Sequence, residues 1–247
     1  MNNYKIIALD ESGKASYAHH SELFVLSSVI ISEKFKPKLD RLMRKLKFKY
    51  FKDAEIVFHS RDMYRAKGPF STLRDNKKTI DFWSEFISIA NSREISLSFI
   101  IVNKDKARKN GWQPKTILKR CYLKILEEYA TKQLKLDNGK IISESDPSQD
   151  LYLIQAHNRL QSMGSSGGSI TALEYKKKIT SLSLVNKSNL DIDVQLADAL
   201  APIAGMIYLN NTKLKIKRLN KIEKMKKRLI DRKIQDKTNP SIFEVLI

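Results

Sequence analysis

Tyr4-Lys5-Ile6-Ile7-Ala8-Leu9-Asp10-Glu11-Ser12-Gly13 opens the chain with an apolar run that stops at a carboxylate. Ile6, Ile7 and Leu9 leave no polar face, which is the pattern of a strand buried on both sides of a sheet. The strand is expected to end at Asp10. Ser12 and Gly13 then let the backbone turn sharply and leave room for a phosphate or a metal ion beside the Asp10 oxygens.

Working outward, Glu22 to Ile31 reads as a second strand, and the polar connection before it suits an antiparallel hairpin with the first. Lys34 to Lys52 has helical apolar spacing, Glu55 to His59 reads as a short strand, and Ile80, Phe82, Trp83, Phe86, Ile87 and Ala90 mark a helix with one buried face. A strand over Glu94 to Val102 and a helix from about Pro114 to Leu134 follow. Lys140-Ile141-Ile142-Ser143 is a short strand that again ends on an acid, Glu144. Asp146-Pro147-Ser148 enters a helix that breaks at Gly164-Ser165-Ser166-Gly167-Gly168. Ser181 to Val185 alternates like a strand, and Val194 to Ile207 is an amphipathic helix carrying Asp198 on its core-facing side. Asp191 and Asp193 are expected to cap that helix. One more helix is expected over Leu214 to Ile234, and the apolar end Ile242 to Ile247 suits docking on the core or on a second subunit, hence a homodimer. Strands alternating with helices behind a hairpin predict an α/β fold, a mixed sheet flanked by helices. The expected division is an α/β domain over 1–210 and a basic helical extension over 211–247.

The composition bounds the function. A net charge of +19 and a pI near 9.8 point to a polyanionic partner, nucleic acid first. Between Lys213 and Lys237 stand twelve Lys or Arg against three acids, and Lys213, Lys217, Arg218, Lys221, Lys224, Lys227 and Arg228 are the candidate contacts. The stretch from Lys34 to Lys52 is a second basic region. No apolar run approaches the roughly 20 residues of a membrane helix, and the start lacks the pattern of a signal peptide, so no membrane partner and a cytoplasmic location are expected. The single cysteine, Cys121, falls on an apolar helical face and reads as a packed thiol.

The acids carry the chemistry. Asp10 and Glu144 both stand at strand ends, and if those strands are parallel neighbours the two face one another, with Asp198 completing a cluster. Three adjacent carboxylates repel one another unless a cation balances them, so Mg²⁺ or Mn²⁺, in a two-ion arrangement, is the expected cofactor. Glu11 neighbours Asp10 but points the other way if the strand continues, and His59 follows a predicted strand as a secondary candidate.

Asp-Glu-Ser-Gly at 10–13, Ile-Ser-Glu at 142–144 and above all Gln195-Leu196-Ala197-Asp198-Ala199-Leu200-Ala201 resemble the family known as domain of unknown function 3800. The resemblance runs from Tyr4 to about Tyr208 and implies a ribonuclease H-like nuclease fold. It implies metal-ligand positions for Asp10, Glu144 and Asp198, a site floor shaped by Ser12 and Gly13, and a Lys187 that contacts the scissile phosphate. It also matches His59 to a recurrent histidine and makes Gln195 part of its most specific motif. Many relatives have an aspartate as second acid, so the choice between Glu144 and Asp146 stays open. The expected activity is metal-dependent cleavage of DNA or RNA. The alternative is a nucleic-acid-binding protein without catalysis, from a defence or mobile-element system. A sugar-kinase or chaperone-type ATPase would need two such domains and a second phosphate loop, which the sequence does not offer.

Overall fold

Strand β1 (Tyr4–Ser12) is the middle of a six-stranded mixed sheet, and its alternate residues enter two separate cores. Ile6 and Ala8 face one helical layer, Ile7 and Leu9 the other. The unbroken apolar run follows from this, because neither face of the strand meets water.

The computed structural model describes residues 4–186, 188, 190–212, 218–236 and 241–247. Along the chain β1 is followed by β2 (Leu23–Ser32), α1 (Lys36–Phe51), α2 (Ser60–Arg65), α3 (Asn76–Ala90) and β3 (Ile95–Asn103). Then come α4 (Lys104–Lys109), α5 (Pro114–Glu128), β4 (Asn138–Glu144), α6 (Asp150–Met163), α7 (Ala172–Lys178) and β5 (Ile179–Val185). Helices α8 (Ile192–Thr212) and α9 (Lys221–Gln235) and strand β6 (Ile242–Val245) complete it. The strand order is β5-β4-β1-β2-β3-β6. Strands β1, β2 and β3 form an antiparallel meander, whereas β4 joins β1, β5 joins β4 and β6 joins β3 in parallel. Helices α1, α3, α8 and α9 cover one face, and α5 and α6 with Tyr175 of α7 cover the other.

Several expectations change. Residues 55–59 are irregular rather than a strand. Ile56 and Phe58 are buried as a strand's alternate residues would be, but the Phe58 N–H donates to Gln195 Oε1 and not to a neighbouring strand. The helix expected to reach Leu134 ends its α-helical part at Glu128 and continues as a π-helical turn, Tyr129–Gln133. The last helix, expected over Leu214 to Ile234, begins at Lys221, where Asn220 and Glu223 form a reciprocal capping box; 218–220 precede it as non-helical chain, and 214–217 lie outside the described residues. The end of the chain stays on its own molecule, where β6 pairs with β3 while Leu229 and Ile230 of α9 enter the core.

Helix α8 is long and apolar enough to cross a membrane by composition, but 78% of its apolar window is buried within the protein. Its apolar content serves packing against β1 and β2. Cys121 is fully buried, and burial pushes its thiol above the ordinary range.

Candidate active site

Register brings the first two acids together. Strands β1 and β4 run parallel with Leu9 beside Ser143, so the next residues, Asp10 and Glu144, stand side by side at the same end of the sheet. Helix α8 adds Asp198, and all three line one open cavity of about 640 Å³. Gly13 shapes the exit from β1. Its φ is +78°, and a Cβ there would run into the Leu23 carbonyl, so only glycine fits.

The acids perturb one another. Burial, then the charges of Asp198, Glu11 and Glu144, push the Asp10 carboxyl well above its usual range, opposed by the Glu11 N–H that donates to Asp10 Oδ1 at 2.6 Å. Asp198 is also raised, chiefly by burial. Ser60 opposes this with two hydrogen bonds, its N–H to Oδ2 at 2.7 Å and its hydroxyl to Oδ1 at 2.6 Å. Pro202 lies one helical turn further along α8 and has no N–H, so the Asp198 carbonyl lacks its donor from that position.

Glu144 and Asp146 both line the cavity but differ in their partners. Asp146 accepts from the Ser148 N–H at 2.8 Å, the Ser148 hydroxyl at 2.6 Å and Gln149 Nε2, which hold its carboxyl below the usual range as the cap of the following turn. Glu144, not Asp146, is among the charges that raise Asp10. Glu11 joins the cavity wall and accepts a hydrogen bond from Gln149, so it does not point away as strand alternation suggests.

Basic side chains and histidines line the same cavity as the acids. Arg61 and Arg65 come from α2, His59 from its N-cap, and Lys14, His19 and His20 from the β1–β2 connection. Lys104 pins that connection, donating to the Ser16 and His19 carbonyls, both at 2.9 Å. Ser12 and His59 both line the cavity, and His59 Nδ1 is buried without a hydrogen-bond partner among the described residues. A charge on His59 would favour ionised Asp198. Gln195 is placed differently. It is buried in α8, where Oε1 accepts from Lys47 Nζ and the Phe58 N–H, both at 2.9 Å, and so positions the segment that carries His59 and Ser60.

Other expectations move. Asp191 and Asp193 pair with Lys36 at 2.6 and 3.1 Å, which ties them to α1. Helix α1 also commits Arg44 to Glu55, Lys47 to Gln195 and Lys49 to Glu85, so much of that basic stretch is engaged internally. Arg218, Lys221, Lys224 and Arg228 are exposed, while Lys227 is half-buried and pairs with Asp231. Lys187, Lys213 and Lys217 lie outside the described residues.

The donor set consists of hard oxygens, and buried Asp10 among three other carboxylates suits a divalent cation. Among the described residues no group of three or more His, Cys, Asp or Glu side chains stands close enough together to hold a metal ion. Ser60, Lys14, Arg61, Arg65, His19, His20 and Gln149 were not singled out from the sequence. Phe58-His59-Ser60-Arg61-Asp62, a polar cluster directly after buried residues, is the signal that covers two of them. No family model matches this chain, and no curated protein matches it.

Proposed function

We propose that this protein is a divalent-metal-dependent nuclease of ribonuclease H-like architecture, cleaving phosphodiester bonds at the cavity of Asp10, Glu144 and Asp198. The observation that carries the reading is that these three acids, from distant parts of the chain, line one cavity together with Lys14, Arg61 and Arg65. Supporting the architecture is the central β1 with an antiparallel meander on one side and two parallel strands on the other. It agrees with the resemblance carried by the Gln-Leu-Ala-Asp motif.

In this reading Asp10 and Glu144 bind the cation, and Asp198, oriented by Ser60, completes its ligands. Mg²⁺ or Mn²⁺, when bound, polarises a phosphate oxygen and lowers the pKa of a coordinated water. Lys14, Arg61 and Arg65 hold the non-reacting phosphates, where their charge positions the strand. Exposed Arg218, Lys221, Lys224 and Arg228 extend this contact along the backbone.

Labelled single- and double-stranded DNA and RNA, incubated with Mg²⁺, Mn²⁺ or chelator beside an Asp198→Asn control, test the proposal. Expected is metal-dependent cleavage that Asp10→Ala lowers by about two orders of magnitude or more. Full activity in Asp10→Ala refutes it. That no group of three or more His, Cys, Asp or Glu among the described residues is placed to hold a metal ion favours a second reading, nucleic-acid binding without catalysis. That reading predicts tight, salt-dependent binding unchanged by chelator and no cleavage of any substrate.

A further inference from the structure

Next to the acidic cavity lies a second one of about 560 Å³ between β2 and the C-terminal half of α8, a size typical of ligand pockets. The two share Ser12, Gly13 and His20 as lining, so they adjoin. Their chemistry is opposite. The first is lined by basic side chains and acids, whereas the second is walled by Leu23, Val25, Pro202, Met206 and Leu209, and no Lys or Arg lines it among the described residues. Glu22 and Glu223 at its rim disfavour an anionic occupant.

Two details indicate that the space is kept open for an uncharged group with a hydrogen-bonding edge. Gly205 faces the cavity from inside α8, where glycine lowers helix stability relative to alanine. Sterics do not require it, because a Cβ there would sit at ordinary contact distance, 3.4 Å from Val25 Cγ2 and 3.5 Å from Leu23 Cδ1. A side chain at 205 would simply fill the space. In addition, Asn210 Oδ1 is a buried acceptor without a partner among the described residues, and Asn210 lines this cavity.

We propose that this cavity is a nucleobase subsite. It receives a base of the strand whose phosphates lie in the acidic cavity, with the base slotted between β2 and α8 beside Gly205, its polar edge on Asn210, and His20 stacking at the junction. The inference rests on the nucleic-acid reading above. Apolar walls with one polar group are what a base extruded from its stack requires, since its faces are apolar and its edge is not.

The test separates the two. Fluorescence anisotropy in chelator compares a short single strand with the same strand carrying abasic positions, and cleavage is scored separately with Mg²⁺. The expected result is that intact strands bind about tenfold more tightly than abasic ones. Gly205→Leu and Asn210→Ala should narrow that ratio, and Gly205→Ala should narrow it while raising the thermal midpoint. That combination would not arise if residue 205 were merely structural, and Asn210→Ala decides the matter should Gly205→Leu fail to fold. Cleavage without any abasic penalty overturns the subsite and leaves the nuclease standing. Base-dependent binding without cleavage does the reverse, and absence of binding to every strand overturns both.

Discussion

At Asp10 the fold holds a carboxylate where it costs stability. The group is 7% exposed, with three other carboxylates raising it and one amide opposing. An acid whose folded pKa lies above its unfolded value keeps its proton longer in the native state, so its contribution to stability falls as pH rises through the range above 3.8. Asp10→Asn should therefore stabilise the metal-free protein at pH 7 by roughly 1–2 kcal/mol in urea denaturation, with the advantage shrinking toward pH 4, while abolishing cleavage. Mg²⁺ should raise the wild-type midpoint and leave that of Asp10→Asn nearly unmoved. A wild-type protein indifferent to Mg²⁺ and Mn²⁺ contradicts the metal assignment. The unbroken apolar run made the central strand legible, but not its end, because β1 runs on past Asp10 to Ser12, where Asp10, Glu11 and Ser12 still pair with β2. The sequence left Glu144 and Asp146 as alternatives, although Asp146-Pro147-Ser148 has the spacing by which an aspartate accepts from the amide two residues on, as it does here. Ser60 was not legible, because nothing local reveals that its amide and hydroxyl meet an acid 138 residues away.

Between residue and domain, the site depends on how α8 grips the segment 56–59. Gln195 stands one turn before Asp198, so one face of α8 holds both the acid and the anchor for the loop that orients it. Gln195→Ala leaves the Phe58 N–H and the buried Lys47 Nζ without their acceptor, which should cost about 2–3 kcal/mol in chemical denaturation. Because Ser60 follows Phe58 by two residues, cleavage should fall together with stability, and an active, destabilised variant would show that the loop is held by other contacts. The same segment shows why elements were read unevenly. Ile56 and Phe58 alternate as in a strand, yet a side-chain amide takes the hydrogen bond that a strand would have donated to the sheet. Strands β1, β2, β3 and β4 had apolar runs long enough to predict without such knowledge. The start of α9 was legible in Asn220 and Glu223, but the helical periodicity upstream of them outweighed that signal.

Over the whole molecule, the excess of +19 is less available to a polyanion than composition implies, because several of its cations are structural. Lys226 of α9 is 4% exposed, its ammonium 3.5 Å over the Trp83 ring and 4.1 Å from that of Tyr64. Lys233 donates to the Ser92 and Ile95 carbonyls at the end of α3, and Lys47 is held by Gln195 over Phe58. Burial pushes Lys226 down to about 7 and Lys47 and Lys233 to about 8, against an ordinary 10.5, with the charge of Glu223 opposing at Lys226. For a base lowered by folding, the unfolded chain binds more protons between the two pKa values, so stability rises with pH across that interval. Denaturation at pH 7 and pH 9 should show the protein more stable at pH 9, with Lys226 alone contributing roughly 1–2 kcal/mol. Lys226→Met should flatten this rise without altering the salt dependence of nucleic-acid binding. Replacing exposed Lys221, Lys224 and Arg228 by alanine should do the opposite, lowering the salt slope by about 1 for each phosphate no longer neutralised and sparing the pH profile. If Lys226→Met changed the salt slope as much as the exposed triple variant, the division between structural and surface cations would be wrong.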